Sequence, residues 1–267
     1  MVSDVRRKPI PKMNKTSTAL MYRDVPVDRT HALYDDPFVY LDEMNIACES
    51  YYFRKDGLNA PYYRHFKSAD ERPRSRKAVA EKLKLVNAFL KQYGVEVFVL
   101  DAYRPIPCQV ELWEHFLKQA ASVLVGPTDQ KLREFAGMFC SDPSDYNPSD
   151  STTWPAHSTG AAIDLTLRRL GTGEHLYMGG IFDDASEISF TRYYEDLIEL
   201  EYTDKQCPET YIEARDNRRL LYWSMAVCDF ANFSNEWWHF DWGNQFWVFN
   251  QEDIDVATAY YGTWLSQ

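Results

Sequence analysis

The chain has 267 residues, of which 45% are hydrophobic and 26% are charged. A globular chain of this length and composition can bury a full core without disulfides or a structural metal ion. Its formal net charge of −11 argues against a nucleic acid or an anionic membrane as a partner, because both bind basic surfaces. The sequence also has no apolar run long enough to cross a membrane.

The cysteine content points to a reducing environment. The five cysteines are odd in number and no two have CxxC spacing, which argues against a disulfide framework and against a cysteine-based zinc site. The N-terminal region is basic and lacks the apolar segment of a secretory signal. We therefore expect a cytoplasmic protein.

Two regions are predicted along the chain. Residues 1–30 contain proline, lysine and arginine without hydrophobic periodicity, and we expect a flexible N-terminal arm there. Residues 31–267 contain neither an internal repeat nor a low-complexity linker, which predicts one domain.

The clearest predicted element is a helix over residues 75–93, where apolar residues recur at steps of three and four. Gly94 ends this helix, as glycine commonly does at a helix C-terminus. Residues 95–100 alternate and are β-branched, which predicts a strand. A second helix is predicted over residues 109–124, followed by a polar loop over residues 141–155.

The remaining elements complete a mixed architecture. We predict a strand over residues 161–167 and a long helix over residues 209–230. The aromatic segments 237–242 and 245–249 flank Gly243-Asn244, a pattern that predicts a β-hairpin. Because helices and strands follow one another without regular βαβ alternation, the predicted class is α+β.

The first candidate functional segment runs from His157 to Asp164. His157 ends the polar loop, Asp164 lies inside an apolar strand, and Gly160 allows the chain to turn so that both side chains converge. A carboxylate among alanine, isoleucine and leucine must be paired, protonated or bound to metal. Spacing alone leaves open a pair of metal ligands or a buried aspartate capped by a backbone amide.

The second candidate segment contains Glu236 and His239, three residues apart in an aromatic stretch. In a flat strand these side chains would point to opposite faces, so a strand here needs a bulge or a turn at Glu236. An aromatic hairpin with both residues at its rim is the alternative. Together the two segments offer two imidazoles and one carboxylate, which suits catalytic zinc with one open position, and Glu236 is then a candidate general base.

The third candidate is Arg104, at the end of the strand predicted over residues 95–100. Pro105 ends the regular structure, so Arg104 is presented at the strand terminus, where it can meet a substrate oxygen. Pairing of Arg104 with Asp101 or with a surface carboxylate is the alternative interpretation.

These segments together resemble the D-alanyl-D-alanine dipeptidases, the zinc peptidases of the vancomycin-resistance type. The resemblance covers about residues 38–242 and is carried by several short motifs in a fixed order. The motifs are FVYLDE at 38–43, DAYRP at 101–105, HSTGAAIDLTL at 157–167, MGGIFD at 178–183, NRRL at 217–220 and EWWH at 236–239.

The resemblance implies a fold with a central antiparallel sheet flanked by helices and a small dipeptide as substrate. Glu236 would be the catalytic base and then the proton donor to the leaving amine. Arg104 would hold the carbonyl oxygen as it gains negative charge, and Asp183 would bind the free amino group of the dipeptide. The implied zinc ligands are His157, Asp164 and His239.

Three features depart from the family pattern. Pro155-Ala156 stands where the family has two serines before the first zinc histidine, residues 189–210 form a long acidic and aromatic stretch, and the N-terminal arm is extra. All three would reshape access to the site while leaving the metal centre intact. The substrate therefore stays open between a D-Ala-D-Ala-type dipeptide and another small amide or dipeptide, and a non-catalytic small-molecule binder is a further alternative.

Overall fold

The computed structural model describes residues 4–12, 21–203, 206–250 and 258–264, which form helices and strands in an α+β arrangement. The helices are α1 Lys77–Leu90, α2 Ile106–Val123, α3 Asp129–Ala136, α4 Tyr193–Glu201, α5 Glu209–Ala226 and α6 Gln245–Asn250. The strands are β1 Phe38–Tyr40, β2 Ala47–Cys48, β3 Arg74–Arg76, β4 Val95–Asp101, β5 Ala162–Arg169, β6 Ala231–Asn232 and β7 His239–Asp241. None of the helices described is both long and apolar enough to span a bilayer. The predicted fold class is confirmed.

A five-stranded sheet with the strand order β2–β4–β5–β7–β6 lies at the centre, and a separate antiparallel pair joins β1 and β3. Neighbouring strands of the large sheet are antiparallel except for β2 and β4. In the central strand β5, Asp164 pairs with Asp101 of β4 on one side and with His239 of β7 on the other. Directly opposed residues point to the same face of a sheet, so this register places three polar side chains in one row.

Helix α1 covers the sheet with the predicted apolar stripe. Its buried residues recur at the expected steps and pack beside β4; they are Val79, Ala80, Leu83, Val86 and Leu90. A 3-10 turn over Lys91–Tyr93 extends the helix, and Gly94 ends it with φ 70°, in the left-handed region that favours glycine.

Most predicted elements are present with shifted ends. Strands β4 and β5 extend one or two residues beyond their predicted C-termini, and α5 ends four residues early. Helix α2 begins three residues early, because Pro107 occupies its first turn, where proline needs no backbone N–H donor.

The predicted hairpin over residues 237–242 and 245–249 is wrong. Residues 245–250 form helix α6, and β7 pairs with β5 and β6 instead. Asn244 explains the difference, because its Oδ1 accepts a 2.9 Å hydrogen bond from the backbone N–H of Trp247, as a helix N-cap does. Gly243, with φ 79°, turns the chain just before this cap.

The described part of the first 30 residues contacts the rest of the protein. The backbone N–H of Ile10 donates a 3.0 Å hydrogen bond to Glu195 Oε1 in α4, and Trp223 Nε1 in α5 donates to the Lys8 carbonyl at 2.9 Å. Ile10 is fully buried in this position. The division of the chain into an arm and one domain stays a prediction.

Candidate active site

Three buried side chains converge where β5 and β7 meet. His157 lies in a 3-10 turn before β5, Asp164 lies in β5, and His239 begins β7. His157 Nε2 is 3.2 Å from His239 Nδ1 and 3.3 Å from Asp164 Oδ2, and His239 Nδ1 is 3.0 Å from Asp164 Oδ1. The structure therefore brings together the three side chains that the sequence suggests as metal ligands.

The turn between His157 and β5 requires glycine. Gly160 has φ 70°, and a Cβ at this position would lie only 2.3 Å from Cζ of Phe38. Phe38 therefore packs directly on the backbone of the turn that positions His157.

The hydrogen bonds behind the two imidazoles determine which nitrogens face each other. His157 Nδ1 lies 2.7 Å from the Ala102 carbonyl, which can only accept, so Nδ1 carries the proton and Nε2 carries a lone pair. His239 Nε2 lies 2.9 Å from Asp241 Oδ2 and donates to that carboxylate, so the neutral form of the ring, the form that binds metal, carries its lone pair on Nδ1. Two nitrogen lone pairs and the Asp164 carboxylate thus point at one another.

This donor set fits a zinc ion. Two imidazoles and one carboxylate are ligands that zinc accepts at catalytic sites, and each imidazole is oriented by a second hydrogen bond, as metal-bound histidines are. The site also favours positive charge when no metal ion is bound. Burial lowers the pKa of His239, but Asp241 and Asp164 outweigh burial and raise this pKa well above its usual range.

Glu236 lies at the edge of the three-residue cluster. The chain turns at this residue, because the backbone N–H of His239 donates to the Glu236 carbonyl at 3.3 Å. The turn that the sequence analysis requires for Glu236 and His239 to face the same way is therefore present. Glu236 Oε2 lies 3.7 Å from His239 Nδ1. Burial, the main cause, together with the charges of Asp164 and Asp183, raises the pKa of Glu236 to about 8. A carboxyl group with this pKa can accept and return a proton near neutral pH.

Arg104 lies buried between β4 and α2, and its guanidinium is held at several points. Nε donates to Asp101 Oδ2 at 2.9 Å, Nη1 donates to Gln109 Oε1 at 3.0 Å, and Nη2 donates to Tyr52 Oη at 3.1 Å and to Asp164 Oδ2 at 3.4 Å. Arg104 therefore pairs with Asp101 and also lies in the candidate site. One N–H on Nη1 makes no such contact with the described residues and is therefore an available donor in a residue that lines the cleft.

Asp183 is held by two tyrosines. Tyr52 Oη donates to Asp183 Oδ2 at 2.7 Å and Tyr62 Oη donates to the same oxygen at 2.8 Å. Tyr52 also accepts from Arg104, so one hydrogen-bond chain joins Arg104, Tyr52 and Asp183. Burial, reinforced by the charge of Asp164, raises the pKa of Asp183 to about 7.

The segment that carries Asp183 is anchored by the buried Arg218 of α5. Its guanidinium donates to the carbonyls of Met178 at 2.8 Å, Phe190 at 2.7 Å and Ile188 at 2.8 Å. Since these partners are carbonyls, burial dominates and lowers the pKa of Arg218 to about 9. The NRRL motif thus supports the segment on which Asp183 lies.

The sequence analysis missed Gln109 and Asp241 of this network, and it gave no role to Tyr52 and Tyr62, which it places only near the pocket. Asp241 carries a usable signal, because residues two apart in a strand share a face and His239 lies two residues before it. Gln109 carries no comparable signal, since a bend at Pro105 brings it beside Arg104.

The site opens into a cleft. Pro155 and Ala156 line this cleft, and so does Tyr22 from the N-terminal region. No described residue between positions 189 and 210 lines it; helix α4 within this stretch packs on α5. Two of the three departures therefore affect the cleft directly.

Comparison with known proteins identifies the family. The Peptidase_M15 family model, described as D-ala-D-ala dipeptidase, matches residues 64–259, well over half of the chain. The chain belongs to this family. Two similar proteins are named D-alanyl-D-alanine dipeptidase. That of Synechocystis sp. is 33% identical over 177 residues, which are 62% of this chain and 68% of that protein. That of Escherichia coli is 31% identical over 148 residues, 55% of each chain.

A solved structure of VanYB in complex with D-Alanine-D-Alanine aligns with 82% of this chain and 84% of its own, with a TM-score of 0.36 and 14% sequence identity. The family and enzyme class predicted from the motifs are confirmed. The six predicted site residues lie within the matched region, whereas Tyr22, Tyr52 and Tyr62 precede it.

Proposed function

We propose that this protein hydrolyses a small D,D-dipeptide of the D-Ala-D-Ala type with the help of a zinc ion. The observation that carries the proposal is the convergence of two imidazole lone pairs and one carboxylate, those of His157, His239 and Asp164, beside a buried glutamate. When bound there, zinc supplies Lewis acidity, which polarises the amide carbonyl and makes a water molecule nucleophilic near neutral pH.

Glu236 and Arg104 are the proposed catalytic residues. Glu236 accepts the proton of the attacking water and returns it to the leaving amine, and its place beside the metal ligand His239 suits this role. Arg104 donates to the carbonyl oxygen as that oxygen gains negative charge. Its other hydrogen bonds, to Asp101 and Gln109 among others, hold the guanidinium in place before substrate arrives.

Asp183 is the proposed binding residue for the substrate ammonium group. The Tyr52 and Tyr62 hydroxyls fix its carboxylate at a set distance from the metal ligands. An anion at a fixed place in the cleft selects a free amino group one residue away from the scissile bond. Dipeptides are therefore favoured over longer chains.

We also propose a cytoplasmic location. All five cysteines are free thiols, and unpaired cysteines are common in reducing compartments.

The experiment combines metal analysis with a dipeptidase assay. Purified protein is expected to contain one zinc ion per chain and to release alanine from D-Ala-D-Ala, and a chelator is expected to stop the release. Release that persists after metal removal, or protein without bound zinc that cannot take it up, would contradict the proposal. Tight dipeptide binding without turnover by the zinc form would favour the non-catalytic alternative.

A further inference from the structure

An aromatic wall, formed by Tyr22, Phe233 and Phe246, closes one side of the cleft. The three side chains form a buried apolar cluster of their own and all line the cleft. The Phe246 ring lies 4.6 Å from Tyr22, 5.0 Å from Phe233 and 5.7 Å from His239, measured between centroids. The wall therefore lies immediately beside a proposed metal ligand.

Tyr22 is fixed in this wall by its surroundings. Its hydroxyl donates to the Trp154 carbonyl at 3.0 Å and lies 3.3 Å from Ser141 Oγ. Gln245 Nε2 in α6 donates to the carbonyl of Val25 at 2.8 Å, so the segment after Tyr22 is also attached. The ring is thus a rigid surface contributed by residues that precede the family match.

The wall and the ammonium site contact different members of the candidate site. Asp183 is joined through Tyr52 to Arg104, whereas the wall packs on His239. A dipeptide with its amino group at Asp183 and its carbonyl at Arg104 directs its leaving residue away from Asp183. That residue then meets the aromatic wall.

The described residues that line the cleft offer little positive charge to hold an acidic leaving residue. Among the described lining residues, Arg104 is the only lysine or arginine, and most of its donors are occupied. Ala156, Met138 and Phe139 continue the apolar surface beside the wall. Discrimination among leaving residues therefore depends on apolar contact.

We propose that the aromatic wall is a subsite for the side chain of the leaving residue. It selects D,D-dipeptides whose C-terminal residue carries an apolar side chain larger than methyl, such as leucine or phenylalanine, and Tyr22 is a specificity-determining residue. This inference rests on the proposed function. Each added methylene in an apolar subsite is commonly worth about tenfold or more in kcat/KM, so a preference of at least about tenfold over D-Ala-D-Ala is expected.

The test measures kcat/KM of the full-length zinc protein for D-Ala-D-Ala, D-Ala-D-Leu and D-Ala-D-Phe. Tyr22→Ala is expected to lower kcat/KM for D-Ala-D-Phe at least tenfold, mainly through KM, and to lower it for D-Ala-D-Ala by a smaller factor, so that the preference for D-Ala-D-Phe is lost. Tyr22→Phe keeps the ring and is expected to keep the preference. Tyr93→Ala is the matched control, since Tyr93 does not line the cleft, and it is expected to leave the ratio of the substrates unchanged.

A second readout is independent of turnover. Calorimetry on zinc-loaded Glu236→Ala protein is expected to show tighter binding of D-Ala-D-Phe than of D-Ala-D-Ala. Wild-type protein that turns over D-Ala-D-Ala at least as well as the larger dipeptides would overturn this inference and leave the proposed function standing. Absence of both turnover and binding for every dipeptide would overturn this inference and the proposed function together.

Discussion

Replacing Asp183 with asparagine should stabilise the metal-free protein while impairing catalysis. The folded protein holds the pKa of Asp183 at about 7, against a reference value of 3.8. An acid whose pKa is raised by folding binds its proton more tightly in the folded state. Its contribution to stability is therefore lost as pH rises from about 4 to about 7, and the loss is complete above pH 7.

The size of the effect follows from the shift. Each pKa unit corresponds to about 1.4 kcal/mol, so ionised Asp183 costs the folded state up to about 4 kcal/mol above pH 7, or about 2 kcal/mol if partial solvent access halves the shift. An asparagine Oδ1 can still accept the hydrogen bonds of Tyr52 and Tyr62. We expect Asp183→Asn to raise the free energy of unfolding by about 2–4 kcal/mol at pH 8, and by less at pH 5.

Urea unfolding of chelator-treated protein at pH 5 and pH 8 measures this difference, with Asp184→Asn as the neighbouring control. In the same variant, kcat/KM for a dipeptide with a free amino group should fall roughly 10- to 100-fold, the value of a hydrogen bond to a charged group. A variant that is no more stable than wild type at pH 8, or whose gain is equal at both pH values, would refute the reasoning.

Three further predictions concern the catalytic residues and their support. Glu236→Gln should retain zinc but lose roughly 10²–10⁴-fold in kcat, because proton transfer is removed; loss of zinc in elemental analysis would instead make Glu236 a ligand. Arg104→Lys should lower kcat by about 10²-fold or more in steady-state assays, because lysine lacks the fork of donors; unchanged kcat would remove Arg104 from the mechanism. Asp241→Asn should weaken zinc binding about 10- to 100-fold in a competition titration, because Asp241 orients His239; unchanged affinity would show that this orientation is unimportant. Arg74→Lys, which changes an arginine paired with Asp70 away from the cleft lining, is the control for Arg104→Lys.

The elements with a strong local signal were predictable from sequence. Helix α1 has both a periodic stripe and a terminal glycine, β4 has an alternating β-branched pattern, and β5 is mainly apolar, so local pattern and tertiary environment agree. At Gly243-Asn244 the local pattern suits either a β-hairpin turn or the start of a helix. Only the contact between Asn244 and Trp247, which depends on helix α6 forming, decides the outcome.

The residues of the candidate site likewise divide into those that the sequence identifies and those that only the fold brings together. Asp164, Glu236 and His239 stand out because polar residues in apolar or aromatic segments need an explanation. His157 and Arg104 stand out by their places at the end of a loop and of a strand, and the family motifs added Asp183. The tyrosines that hold Asp183 are more than 100 positions away from it in sequence. Only the folded chain brings such partners together, so no spacing rule could identify them.

The register of the central sheet has a consequence for how the protein acquires its metal. Asp164 and His239 are directly opposed across β5 and β7, and a slip of one residue would send one of them to the opposite face. The strand ladder that completes the fold therefore also brings together two of the three proposed protein ligands. A newly made chain can finish folding first and load its ion afterwards, with little rearrangement of the backbone.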